Sequence, residues 1–135
     1  MTPNRSSPIL KIACALLWVI LLISIFDHAL SFYLRWWWFD IPMHMVGGFV
    51  IALLFVGLFR DRYASRGWAF PLWALFSFGL GVVALTGVLW EFFEYAVSFL
   101  SGSWALEIND TIHDLLNDLL GGAAGLLAFI RRRQK

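Results

Sequence analysis

The sequence predicts an all-α polytopic membrane protein, a bundle of four transmembrane helices, and three observations carry that prediction. The 135 residues are 61% hydrophobic and 14% charged, with a mean hydropathy of +0.77, which is more apolar surface than a water-soluble domain of this size can hide. Four apolar stretches are each long enough to span a hydrocarbon core of about 30 Å at about 1.5 Å per residue. Basic residues gather at alternate connections, the pattern expected when Lys and Arg are retained on the cytoplasmic side.

The first helix is expected over residues 9–26. Arg5 and Lys11 flank its start as in a signal peptide, but no convincing small-x-small cleavage site follows Phe26, so the segment reads as a retained helix. Cys14 is the only cysteine, which excludes an intramolecular disulfide and a cysteine-cluster metal site and leaves it as a packing residue of this helix. Between Asp27 and Asp40 lie Phe32, Tyr33, Trp36, Trp37, Trp38 and Phe39, an aromatic belt suited to the outer headgroup layer. The second helix is expected over 41–59. Arg60, Arg62 and Arg66 fill the connection after it, Trp68, Phe70 and Trp73 anchor that side, and Pro71 sets the start of the third helix over 72–100. That stretch exceeds a straight crossing, so it must tilt or protrude. The fourth helix, over 111–130, runs into Arg131, Arg132, Arg133 and Lys135. Only Arg35 lies on the side opposite the other basic residues, which predicts a single domain over 1–135 in the cytoplasmic (inner) membrane with both termini cytoplasmic.

Ionisable side chains inside membrane helices are costly and face a bundle interior or an aqueous cavity. Asp40 and His44 stand four residues apart at the start of the second helix, Glu91 and Glu94 three apart near the end of the third, and Asp110, Asp114 and Asp118 every fourth residue into the fourth. Each set therefore occupies one helical face. Four crossings place all three faces in the outer half of the membrane. Asp118 lies about 10 Å along its helix from Thr111, and Glu91 about 13 Å from Leu100, so the sets meet at similar depth in one shared site. Asp40, with Pro42 behind it, also fits the N-cap of the second helix, and Asp110 fits the cap of the fourth. Glu91 and Asp118 lie too deep for such a role.

So many carboxylates cannot all ionise in a low-dielectric pocket without protons, charged histidines or a metal cation. A carboxylate set with an imidazole suits Mn²⁺, Zn²⁺ or Fe²⁺, and carboxylates alone suit Mg²⁺ or Ca²⁺. The expected ligands are Asp40, His44, Glu91, Glu94, Asp114 and Asp118, with Glu91 and Asp118 as catalytic groups. His28 and His113 are weaker nitrogen donors, His113 facing away from the Asp stripe. Gly121, Gly122 and Gly125 form a small-residue packing surface, and the GxxxG spacing of Gly121 and Gly125 also suits a homo-oligomer contact. No organic cofactor and no nucleic-acid partner is expected; the partner is membrane lipid.

The segments Asp40-Ile-Pro-Met-His44, Glu91-Phe-Phe-Glu94 and Asp114-x3-Asp118-x2-Gly121-x3-Gly125 resemble the three signature segments of VanZ-like membrane proteins and, equally, of YjdF-like inner-membrane proteins. The resemblance runs from about Asp40 to Gly125. Glu94 stands where the VanZ-like pattern commonly has Gln, and Asp118 where it has Asn; both differences bring the sequence nearer the YjdF-like pattern. The VanZ-like resemblance implies an association with glycopeptide resistance, and neither family implies a chemistry. The leading expectation is a metal-dependent hydrolase or transferase acting on a lipid-linked envelope substrate. The alternatives are a cation- or proton-conducting transporter subunit and a structural scaffold.

Overall fold

The computed structural model describes residues 8–30, 36, 38–63, 70–101 and 108–133. Over these residues the chain folds into four helices: α1 Pro8–Leu30, α2 Asp40–Arg62, α3 Leu72–Ser101 and α4 Ile108–Arg133. Each contains the expected stretch and extends it by at most four residues at either end. α2 and α3 carry apolar segments of 21 and 29 residues, Asp40–Arg60 and Leu72–Leu100, long and apolar enough to cross a membrane. α1 offers a shorter one, Pro8–Ser24. α4 fails a simple hydropathy test because of its acids, and the fold shows why it carries them: Asp114 and Asp118 are buried inside the bundle.

The helices pack around α2. Its broadest contact is with α4, and α1 and α3 lie along its other flanks, α3 also packing on α4. The α2–α4 crossing is unusually close. A methyl group at Gly48 would overlap the backbone of Asp118, and one at Gly121 would overlap the backbone of Met45. Each glycine thus receives the other helix's main chain, the arrangement that small residues permit in helix pairs. Further along the same seam, a methyl at Gly125 would lie 3.0 Å from the carbonyl oxygen of Phe49. The small-residue surface expected at Gly121, Gly122 and Gly125 is therefore a packing surface, filled by α2 and by Val83 of α3 within the chain. Within the chain Gly121 and Gly125 face α2.

The interior is divided along the helix axes. At one end Ala52, Val56, Leu75, Val83, Leu126 and Phe129 form a buried apolar cluster. The ring of Phe59 closes that end, with Phe70 edge-on at 5.4 Å and Tyr63 at 5.6 Å between centroids. At the other end α2, α3 and α4 contribute polar side chains. Cys14 does not pack as expected: it is exposed on α1, while its neighbour Ala13 is buried. Of the aromatic belt, Trp36 and Trp38 are exposed and Phe39 donates its N–H to the Trp36 carbonyl at 2.8 Å. Phe32, Tyr33, Arg35, Trp37 and Trp68 lie outside the described residues, as does the side chain of His28.

Candidate metal centre

The close Gly48–Gly121 crossing fixes the site, because His44 stands one residue before Met45 and Asp118 lies directly against Gly48. Bringing the two backbones together carries the imidazole into the acidic face of α4. His44, Asp114 and Asp118 are 6%, 4% and 7% exposed and are the buried polar side chains among the described residues. Charged groups are that deeply buried only when paired or bound to a cation.

Both nitrogens of His44 face carboxylates. Nδ1 lies 3.4 Å from Oδ1 of Asp118, and Nε2 lies 3.5 Å from Oδ1 of Asp40 and 3.8 Å from Oδ1 of Asp114. These separations exceed a good N–H···O hydrogen bond. Two donors each about 2.1 Å from a metal stand roughly 3.0–3.5 Å apart at octahedral to tetrahedral angles; on the Nε2 side Asp40 at 3.5 Å reaches the edge of that range and Asp114 at 3.8 Å lies just beyond it. Donor atoms of Asp40, His44 and Asp114 lie within 4.8 Å of one another, and so do donor atoms of His44, Glu91 and Glu94. The structure thus gathers all the acids expected at the site, Asp40, Glu91, Glu94, Asp114 and Asp118, around the one imidazole.

Two positions differ from the capping roles considered for them. α2 begins at Asp40 with Phe39 in the cap position, so Asp40 lies in the first turn, and its carboxylate stands 3.5 Å from Nε2 of His44, one turn on. α4 begins at Ile108, so Asp110 lies inside its first turn and is exposed. His113 is also exposed, away from the cluster.

Several residues of the site carry no charge and were not singled out in the sequence. Gly87 of α3 faces Asp118 so closely that a methyl there would stand 2.5 Å from Oδ2, and Gly47 leaves open space 3.9 Å from Oδ1. The Asp118 carboxylate therefore occupies a slot made by the absence of two side chains. Trp90 donates its indole N–H to Oε1 of Glu94 at 2.8 Å, an i,i+4 pairing that the spacing alone makes available. Glu91 is supported on one side only: its carboxylate has a side-chain hydrogen bond with Thr111, while its Oε1 is buried without a hydrogen-bond partner. An orphaned buried carboxylate oxygen calls for a proton, a water or an ion.

The family model described as "Predicted membrane protein (DUF2238)" matches residues 1–135 of this sequence. An uncharacterized protein of Thermotoga maritima is 34% identical over 101 residues, covering 73% of this chain and 50% of that protein. The chain thus spans about half the length of this curated relative. No solved structure matches.

Proposed function

We propose that this chain, which belongs to the DUF2238 family of predicted membrane proteins, is a metal-dependent hydrolase or transferase that acts on a lipid-linked phosphate at the outer leaflet. The observation that carries the reading is the pair of environments around His44. Nε2 shares its space with Asp40 and Asp114, while Nδ1 faces Asp118. A metal-ligating histidine characteristically donates its other ring N–H to a carboxylate, which fixes the tautomer and the ring's aim. In this assignment Asp40, His44 and Asp114 are ligands, and Asp118 is a positioning residue acting through His44. Nitrogen with carboxylate oxygen suits Mn²⁺, Zn²⁺ or Fe²⁺ better than Mg²⁺.

A bound dication supplies charge neutralisation for the acids and a Lewis acid for a phosphate oxygen. Glu91, with its unpartnered Oε1, is placed to take a proton from an attacking water or acceptor hydroxyl. That oxygen then bonds phosphorus, the ester P–O bond breaks, and the proton passes to the departing oxygen. Glu94, held by Trp90, completes the polar wall or the ligand set. The likeness of the three acidic segments to those of VanZ-like and YjdF-like proteins supports their acting as one unit. Conduction is disfavoured because a path from the cluster would have to cross the apolar plug of Ala52, Val56, Leu75, Val83, Leu126 and Phe129.

The test is elemental analysis. Wild-type protein loaded with Mn²⁺ or Zn²⁺ in detergent and dialysed should retain about one ion per chain, whereas His44→Ala and Asp114→Asn should retain almost none. A wild type that keeps no metal overturns the reading.

The proposed membrane arrangement has four crossings, both termini cytoplasmic and the polar end of the bundle outside. It rests on the Lys and Arg distribution. Reporters fused after Lys135 and within Tyr63–Gly67 should behave as cytoplasmic, and one within Ser101–Trp104 as external. An external signal from the fusion after Lys135 would sink it.

A further inference from the structure

A groove of about 100 Å³ runs between α1 and α3, with α2 as its floor, and ends at His44 and Asp118. Its walls are Leu17, Ile20 and Leu21 on one side and Val83 on the other, with Ile51 in the floor. Two hydroxyls also line it, each with its proton already committed. Ser24 donates to the Ile20 carbonyl at 3.1 Å and Thr86 to the Val82 carbonyl at 2.8 Å, each within its own helix. The groove is therefore lined mainly by apolar groups, and its ionisable side chains, His44 and Asp118, stand where it meets the candidate metal centre. From Met43 to Ile51 the floor runs about 12 Å along α2.

Its occupant follows from where it lies. α2 and α3 are the helices long and apolar enough to cross a membrane, and at that depth the apolar molecules at hand are lipid chains. A groove that is mainly apolar along its length and ionic at one end fits a molecule with the same division. We infer that it receives one hydrocarbon chain of a phospholipid, whose headgroup phosphate then lies at the His44 end. This rests on the metal-dependent reading above for the phosphate, and on the groove alone for the chain. Gly47 and Gly87 matter twice: they leave room for Asp118, and they keep the junction of groove and cluster open.

The probe is a phosphatidylglycerol carrying a mid-chain diazirine, mixed into phosphatidylethanolamine vesicles holding the full chain, with adducts mapped by mass spectrometry after illumination. Wild type should be labelled at Ile51 and Val83 in the groove as well as at the outward-facing Leu85 and Leu89, which are 62% and 57% exposed. Gly47→Leu should fill the groove: its first carbon fits, with Asp118 Oδ1 3.9 Å away, and the remainder projects into the space. It should lower the groove adducts at least fivefold and leave those at Leu85 and Leu89 unchanged. Gly81→Leu, where an added carbon meets nothing within 4 Å, should change neither. Thr86→Phe fills the groove from α3 and serves if Gly47→Leu does not fold.

Groove labelling that is absent in wild type, or that survives both filling variants undiminished, overturns the inference. The two readings fail separately. Groove labelling retained in Asp114→Asn, with wild type binding no metal, would leave the chain site standing while removing the metal-dependent chemistry.

Discussion

Saturating Mn²⁺ should raise the melting temperature of the wild-type protein in detergent by about 10 °C over the chelator-treated protein. An ion that binds only the folded state stabilises by about 2.7 kcal/mol at a hundredfold excess over its dissociation constant, and about 4 °C accompanies each kcal/mol in a chain of this size. Amide substitutions separate metal from protons as the neutralising agent. If protons alone compensate the acids, Asp118→Asn or Glu91→Gln is nearly isosteric, keeps the hydrogen bonds and relieves repulsion, so the variant melts at or above wild type. If a metal is held by Asp40, His44 and Asp114, then Asp114→Asn removes a charged ligand and should abolish the response to Mn²⁺. Asp118→Asn replaces the charged carboxylate that faces Nδ1 of His44 at 3.4 Å by a neutral amide, and should need 10–100-fold more Mn²⁺ for the same shift, as roughly that factor follows disruption of an outer-shell partner. Differential scanning fluorimetry with and without chelator reads all of these. A wild type indifferent to chelator, with amide variants melting higher, would leave the metal without support.

The site was legible in the sequence to the extent that it depends on helical periodicity. The spacing Asp114–Asp118 dictates a shared face whatever the tertiary structure, as does Glu91–Glu94, and burial of those faces follows from the cost of charge in an apolar medium. Trp90 and Glu94 obey the same i,i+4 rule and were equally open to discovery. The Asp40 pairing was obscured because an acid at a helix start has a second use as a cap, and only coordinates distinguish a carboxylate turned toward His44 from one turned toward backbone N–H groups. Cys14 shows the opposite limit: an apolar helix that packs on one side only has no polar face from which to infer its inward side, so residue type misplaced it.

What periodicity cannot supply is the partner across a helix interface. The Gly121–Gly125 spacing marks a surface for close packing without saying whether α2 or a second copy takes it. Gly48 is one of two adjacent glycines in α2, and nothing local pairs it with Asp118. That pairing is a long-range fact of the bundle, and it is what sets His44 against the acids of α4.

Closing that interface to side chains should therefore have the largest effect of any single methyl group. An exposed helical glycine replaced by alanine gains up to about 1 kcal/mol from helix propensity, and Gly81→Ala, with nothing within 4 Å of the added carbon, should be neutral or stabilising. Gly121→Ala places its methyl on the Met45 backbone, and Gly48→Ala places one on the backbone of Asp118. Neither neighbour is a flexible side chain that can swing aside, so the helices must separate. Overpacking typically costs about 1–3 kcal/mol where side chains can yield; here the cost should reach or exceed the upper figure, a fall of roughly 10 °C or more in melting temperature. Separation also lengthens the His44–Asp118 and His44–Asp114 distances, so Mn²⁺ retention should fall in both variants while Gly81→Ala keeps it. Melting and metal content measured on the three proteins together decide the matter. Gly121→Ala and Gly48→Ala proteins that melt like Gly81→Ala and retain the same ion would show that the α2–α4 crossing does not hold the site.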